Sequence, residues 1–163
     1  MSEQDLDLTH VDAQGRLRMV DVSEKEATAR VAKAEAWVQV SPGTLERIEG
    51  HEIPKGNVFE AARLAGILAA KKTWELIPLC HPLRLTGVEI DFSTDSNLQK
   101  IQICSRVRTT DRTGVEMEAL VAVAHAALTI YDMCKAIDRD IRILEIHLTF
   151  KSGGRSGTYQ RAI

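Results

Sequence analysis

Residues 86–107 read TGVEIDFSTDSNLQKIQICSRV. Val88, Ile90 and Phe92 alternate with Glu89 and Asp91, and Ile101 and Ile103 continue the alternation beyond TDSN. A period of two puts one set of side chains on a buried face of a strand. Asp, Ser and Asn between the runs are turn formers. The stretch therefore predicts a β-hairpin. Its flanks turn that hairpin into a fold. Upstream, NVFEAARLAGILAAKKTWEL (57–76) predicts a helix with Asn57 as N-cap. Its apolar stripe is Val58, Ala61, Ala62, Ala65, Leu68 and Ala69. Downstream, TGVEMEALVAVAHAALTIYDMCKAID (113–138) predicts a long helix, apolar nearly all round and hence buried. AEAWVQVS (34–41) alternates as a strand, and IRILEIHLTF (141–150) predicts a last strand. In SPGTLERIEG (41–50), Ser41, Pro42 and Gly50 mark a short helix. Without that helix the order is strand, helix, strand, strand, helix, strand. This is the split βαβ, or ferredoxin-like, arrangement: an α+β fold with an antiparallel sheet and two long helices on one face.

The expected boundaries are a flexible N-terminal arm over 1–16, one domain over 17–151 and a Gly-rich tail over 152–163. RLRMVDVS (16–23) is a candidate edge strand. Of 163 residues, 44% are hydrophobic but only 4% aromatic, so the core must be built from Ala, Val, Leu and Ile. A net charge of −2 gives no global basic field for nucleic acid or an anionic membrane. An anionic ligand then needs a locally built cationic pocket. Three cysteines without CxxC read as reduced thiols, and with the five histidines they show no zinc-type spacing. The longest apolar run, ALVAVAHAALTIY, has 13 residues, whereas a membrane span takes about 20. No apolar leader opens the chain. These features predict a soluble, cytoplasmic protein.

In IPLCHPL (77–83) prolines stand at both ends of a Cys–His pair. Pro78 and Pro82 fix their own φ and push Ile77 and His81 towards extended backbone. The segment is expected to be a rigid, extended connector. A core histidine explains His81 as well as a ligand-binding one does. On extended backbone Cys80 and His81 point to opposite faces, which argues against a nucleophile–base pair.

The long helix carries Glu116, Glu118, Asp132 and Lys135. Asp132 and Lys135, three apart, are neighbours on its surface. A structural ion pair and an acid/base pair fit this spacing equally. Glu116 and Glu118 lie at the helix start, where carboxylates favour the dipole. Residues 118 and 132 are about 21 Å apart along a helix. One small substrate can touch both only if two subunits share a site. Lys55 precedes a helix start, where N–H groups favour anions. Lys151 leads into SGGRSG, whose glycines let backbone approach a phosphate.

Together MVDVS, KGNVFEAARLAGI, IPLCHPL, TGVEMEAL, YDMCKA and KSGGRSG resemble the cyclic pyranopterin monophosphate synthase family, the C proteins of molybdenum-cofactor biosynthesis. The resemblance runs from about residue 16 to 158. It implies a lyase that converts 3′,8-cyclo-7,8-dihydroguanosine 5′-triphosphate to cyclic pyranopterin monophosphate and releases pyrophosphate. It also implies a ferredoxin-like hexamer, a trimer of dimers, with active sites at subunit interfaces. It puts Leu79, Cys80, His81, Glu116, Met117 and Glu118 at the substrate. Asp132 is implied as the proton-transfer residue, with Lys135 beside it. Lys55, Lys151 and Arg30 are implied as cations for the triphosphate. Asn57 stands where many relatives have Asp, and Arg155 replaces a common lysine with the charge kept. Such chemistry needs general acid/base catalysis and charge neutralisation, and no redox cofactor. Mg²⁺ is allowed as a companion of the triphosphate, though no carboxylate cluster demands it. Rival readings are a non-catalytic nucleotide-binding module, a structural oligomer with register-fixing charges, and a cysteine hydrolase.

Overall fold

The hairpin forms as the alternation requires. In the computed structural model, which describes residues 11–12 and 14–162, β2 (Leu85–Asp95) pairs antiparallel with β3 (Lys100–Asp111). Phe92 faces Ile103 and Val88 faces Val107 across the pair. Asp95 closes the turn: its Oδ1 accepts from the N–H groups of Asn97 at 2.9 Å and Leu98 at 3.0 Å. β1 (Thr28–Gln39) lies antiparallel between β3 and β4 (Arg142–Ser152), and β5 (Tyr159–Gln160) extends the edge. The sheet order is β2-β3-β1-β4-β5. β1 and β2 are therefore parallel with β3 between them, which is the split βαβ of the ferredoxin-like fold.

Between β1 and β2 come α1 (Pro42–Glu49), α2 (Val58–Ala70) and α3 (Thr73–Leu76); α4 (Glu116–Cys134) joins β3 to β4. The core is aliphatic, as the composition demands. Ala32, Ala34, Ala36 and Val38 of β1 and Ile101, Ile103 and Val107 of β3 are fully buried. Ala119, Ala122, Val123, Ala126 and Ile130 of α4 are equally buried. Alanines on both layers let α4 sit close to the sheet. By length and mean hydropathy (1.3) α4 could cross a membrane, but half of that window is packed inside the domain.

Asn57 caps α2 as expected, accepting from the Glu60 N–H at 3.1 Å. The buried face of α2 is displaced from the expected stripe. It comprises Val58, Ala62, Gly66, Ala69 and Ala70, while Leu68 is exposed. Gly66 is the reason: a Cβ there would lie 2.7 Å from the Ala122 carbonyl oxygen and meet Ile90. It is the crossing point with α4, and a residue without a side chain leaves no mark on an apolar pattern. The long helix expected over 57–76 breaks at Lys71–Lys72. There Thr73 Oγ1 donates to the Ala70 carbonyl at 3.0 Å and starts α3.

Other differences lie at the periphery. β1 begins at Thr28, six residues earlier than the alternation showed, since Arg30 and Lys33 interrupt the apolar pattern. RLRMVDVS does not join the sheet. Of the arm expected over 1–16, residues 1–10 and 13 lie outside the described residues. An antiparallel bridge between Val11 and Leu17 closes a turn in which Asp12 accepts from Arg16. The Gly-rich tail turns back at Gly153 and Gly154, both with positive φ, and Phe150 and Lys151 pair with β5.

Candidate functional site

Gly66 meets Ala122, while Lys55, before α2, meets Asp132 near the end of α4. The two helices are therefore antiparallel. This sorts the sequence-derived candidates into two groups at opposite ends of α4.

The group at the start of α4 is assembled from three connections. The 77–83 segment descends from α3. It is not extended throughout: the Cys80 N–H donates to the Ile77 carbonyl at 3.1 Å and closes a turn. Leu79, Cys80 and His81 follow that turn along the wall of one cleft. The cleft has a volume of 390 Å³, and Glu116, Met117 and Glu118 line its other side. Glu116 folds its carboxylate over Gly114, where a Cβ would collide with it. Glu118 is only 4% exposed, and this burial, aided by the Glu116 charge, pushes its carboxyl up to about 7. Burial and then Glu118 also raise the Cys80 thiol. A thiol held protonated is a poor nucleophile, which counts against the cysteine hydrolase.

The cleft shares Lys25, Thr113 and Gly114 with a neighbouring groove of 760 Å³ that is also lined by Arg30, Arg112 and Arg155. Glu24 and Glu26 stand on its rim. The Arg30 guanidinium donates to the Asp111 carbonyl at 2.9 Å and the Arg112 carbonyl at 3.0 Å. It is thereby fixed, and among the described residues no carboxylate pairs with it. Gly154 passes directly over it, closer than any Cβ allows, and a Cβ at Gly153 would strike the Ala29 carbonyl oxygen. Lys151 reaches the Ser156 hydroxyl in the same tail.

The group at the far end is Lys55, Asp132 and Lys135. Lys55 Nζ donates to the Asp132 carbonyl at 2.7 Å and to its Oδ2 at 3.2 Å. Lys135 Nζ lies 2.7 Å from Oδ1. Hydrogen bonds from Lys135 and then Lys55 hold the Asp132 carboxyl below its ordinary value. The same bond raises Lys135. The lowered lysine that burial would give is therefore not found, because the pair sits on the last turn of α4, beyond the cover of the sheet. The Asp132 and Lys135 side chains are 57% and 53% exposed.

The sequence reading missed Val20 and Val22, which wall the cleft, Lys25, which lines both cleft and groove, and Arg112, which lines the groove. MVDVS was visible as a motif but suggested a strand. Lys25 and Arg112 stand in mixed-charge runs without periodicity. Among the described residues no three His, Cys, Asp or Glu side chains converge as a metal site.

A ferredoxin-like domain whose acid-and-imidazole cleft adjoins a cationic groove is, by class, a binder of small molecules that carry both a polar ring and anionic groups. The chain belongs to the MoaC family, whose pattern matches residues 19–154. It is 58% identical over 154 residues to a protein of Pelotomaculum thermopropionicum named cyclic pyranopterin monophosphate synthase, covering 94% of this chain and 91% of that one. Proteins of the same name from Desulforapulum autotrophicum (55% identity, 94% of each chain) and Thermoanaerobacter sp. strain X514 (54%, 97% of this chain, 100% of the other) are similar at full length. The resemblance read from the six motifs holds.

Proposed function

We propose that this chain is a cyclic pyranopterin monophosphate synthase of molybdenum-cofactor biosynthesis. It converts 3′,8-cyclo-7,8-dihydroguanosine 5′-triphosphate to cyclic pyranopterin monophosphate and pyrophosphate. The observation that carries this reading is that the cleft and the groove lie side by side, both lined by Lys25, Thr113 and Gly114. The ring system fits the end lined by Leu79, Cys80, His81, Glu116, Met117 and Glu118. The phosphates fit the end lined by Arg30, with Lys151 near it at the end of β4.

Ring opening and rebuilding require proton transfers at nitrogen and carbon. A ribose-derived hydroxyl then attacks the α-phosphate and expels pyrophosphate. Asp132 starts as a carboxylate and accepts a proton; Lys135 starts as an ammonium and donates one. Lys55 fixes the Asp132 carboxylate and adds positive charge for the phosphates. These three groups lie at the far end of α4, so a complete site needs a second chain. Leu64 and Leu68 on α2 and Leu128 on α4, exposed on the outer side of the helix pair, supply apolar surface for such contacts. The assembly we infer is a homohexamer, a trimer of dimers, in the cytoplasm. The chemistry calls for no resident cofactor, and Mg²⁺ enters only with the triphosphate.

The test is incubation of the purified protein with the cyclised triphosphate, following pyrophosphate release and the cyclic monophosphate product. Tight binding without either product would replace the lyase with a nucleotide-binding module.

A further inference from the structure

His81 Nε2 lies 2.7 Å from the backbone carbonyl of Val20. A carbonyl only accepts, so Nε2 carries the proton, and in the neutral ring Nδ1 is left with its lone pair. No described protein group bonds to that nitrogen. The Val20 carbonyl is held in place by two turns on its C-terminal side. In the first, Asp21 Oδ1 accepts from the Ser23 N–H at 2.8 Å and the Ser23 hydroxyl at 2.6 Å. The second closes with the Lys25 N–H on the Val22 carbonyl at 3.0 Å. These turns shape residues 20–25, so that Val20, Val22 and Lys25 all line the cleft beside His81.

From this geometry we infer that Asp21 is a positioning residue: by folding the 20–23 turn it aims the Val20 carbonyl at His81 Nε2 and so fixes the imidazole as the Nε2–H tautomer, with Nδ1 as the acceptor. Val20 and Val22 line the cleft, whereas Asp21 between them does not. Asp21 does for the imidazole what an orienting third group does in other acid–base sites. With Nε2 committed to Val20, neutral His81 accepts a proton or hydrogen bond from the substrate and does not supply one. The role in catalysis rests on the synthase reading above; the tautomer does not.

The experiment compares Asp21→Ala, Asp21→Asn and wild type as intact full-length protein. Long-range ¹⁵N–¹H spectra of the ligand-free histidines report the tautomer, with His81 assigned through His81→Gln. Wild type and Asp21→Asn, which keeps the side-chain oxygen acceptor, are expected to show the Nε2–H pattern. Asp21→Ala is expected to show a mixture of tautomers. In turnover, Asp21→Ala should lose kcat by about 10- to 100-fold, the range seen for partners that orient functional histidines, with KM changed less. Asp21→Asn should restore most of it. An Nε2–H ring in Asp21→Ala, or equal kcat losses in both variants, would overturn the inference. If wild type turns nothing over yet the tautomer follows the expected order, only the synthase reading falls.

Discussion

A carboxyl group that burial leaves half-protonated at neutral pH is a liability for folding, and Glu118 is one. Its folded value of about 7 stands above the ordinary 4.5. Below about pH 4.5 folded and unfolded chains are both protonated there. Between 4.5 and 7 the unfolded chain releases the proton first, so stability falls as pH rises, and it levels above 7. Glu118→Gln removes the titration. Its stability relative to wild type should climb across that window by at most about 3 kcal/mol, as read by urea unfolding at pH 4, 6 and 8. A difference that stays flat would show that the carboxyl is solvated in solution. Asp132 presents the opposite case. Its carboxyl is exposed and held low by two lysines, so it is ionised wherever the fold survives, and little of the fold depends on it. Asp132→Asn should unfold like wild type but lose about 10²- to 10⁴-fold in turnover, the usual effect of deleting a general acid or base. Near-normal turnover would remove Asp132 from proton transfer.

At the level of elements, the crossing of α2 and α4 depends on one missing side chain. Gly66→Ala gains up to about 1 kcal/mol of helix propensity in isolation. Here its Cβ would press on the Ala122 carbonyl and Ile90, and overpacking of this kind costs about 1–3 kcal/mol. The variant should therefore be net less stable, by a lowered urea midpoint at unchanged slope; a gain would mean that the helices separate freely. The same glycine shows why the fold was legible in the sequence and the helix face was not. Element order follows from alternation in β2 and β3, the Asp95 turn and the long apolar run of α4. All are carried by side chains with strong local preferences. The face of α2 depends on a neighbour distant in sequence, and so does the wall of the cleft. Val20 and Val22 alternate like a strand, but the Asp21–Ser23 turn and the His81 ring claim that segment instead. IPLCHPL announced its stiffness through its prolines. The turn that ends at Cys80 rests on a backbone bond to Ile77, which no side chain advertises.

For the whole molecule, the decisive fact is the length of α4. Glu118 and Asp132 are fourteen residues apart, about 21 Å along a helix axis, with the cleft at one end and Lys55–Asp132–Lys135 at the other. The two ends carry different groups: the cleft end holds the enclosed carboxyls and the imidazole, and the far end holds the exposed Lys55–Asp132–Lys135 group. In the homohexamer proposed above, the start of α4 in one protomer would be set against its end in another. This arrangement can be tested without a ligand-bound structure. Glu118→Ala and Asp132→Asn should each be nearly inactive. Mixed in equal amounts by co-expression, they form hybrid oligomers in which each site draws its two ends from different chains. If chains assort at random, half the sites have an intact cleft and half of those an intact aspartate, so about a quarter of wild-type activity should return. The two purified variants, mixed without subunit exchange, should stay inactive. If co-expression restores nothing while the hybrids demonstrably form, both ends must act from a single chain. The site shared between protomers would then fall.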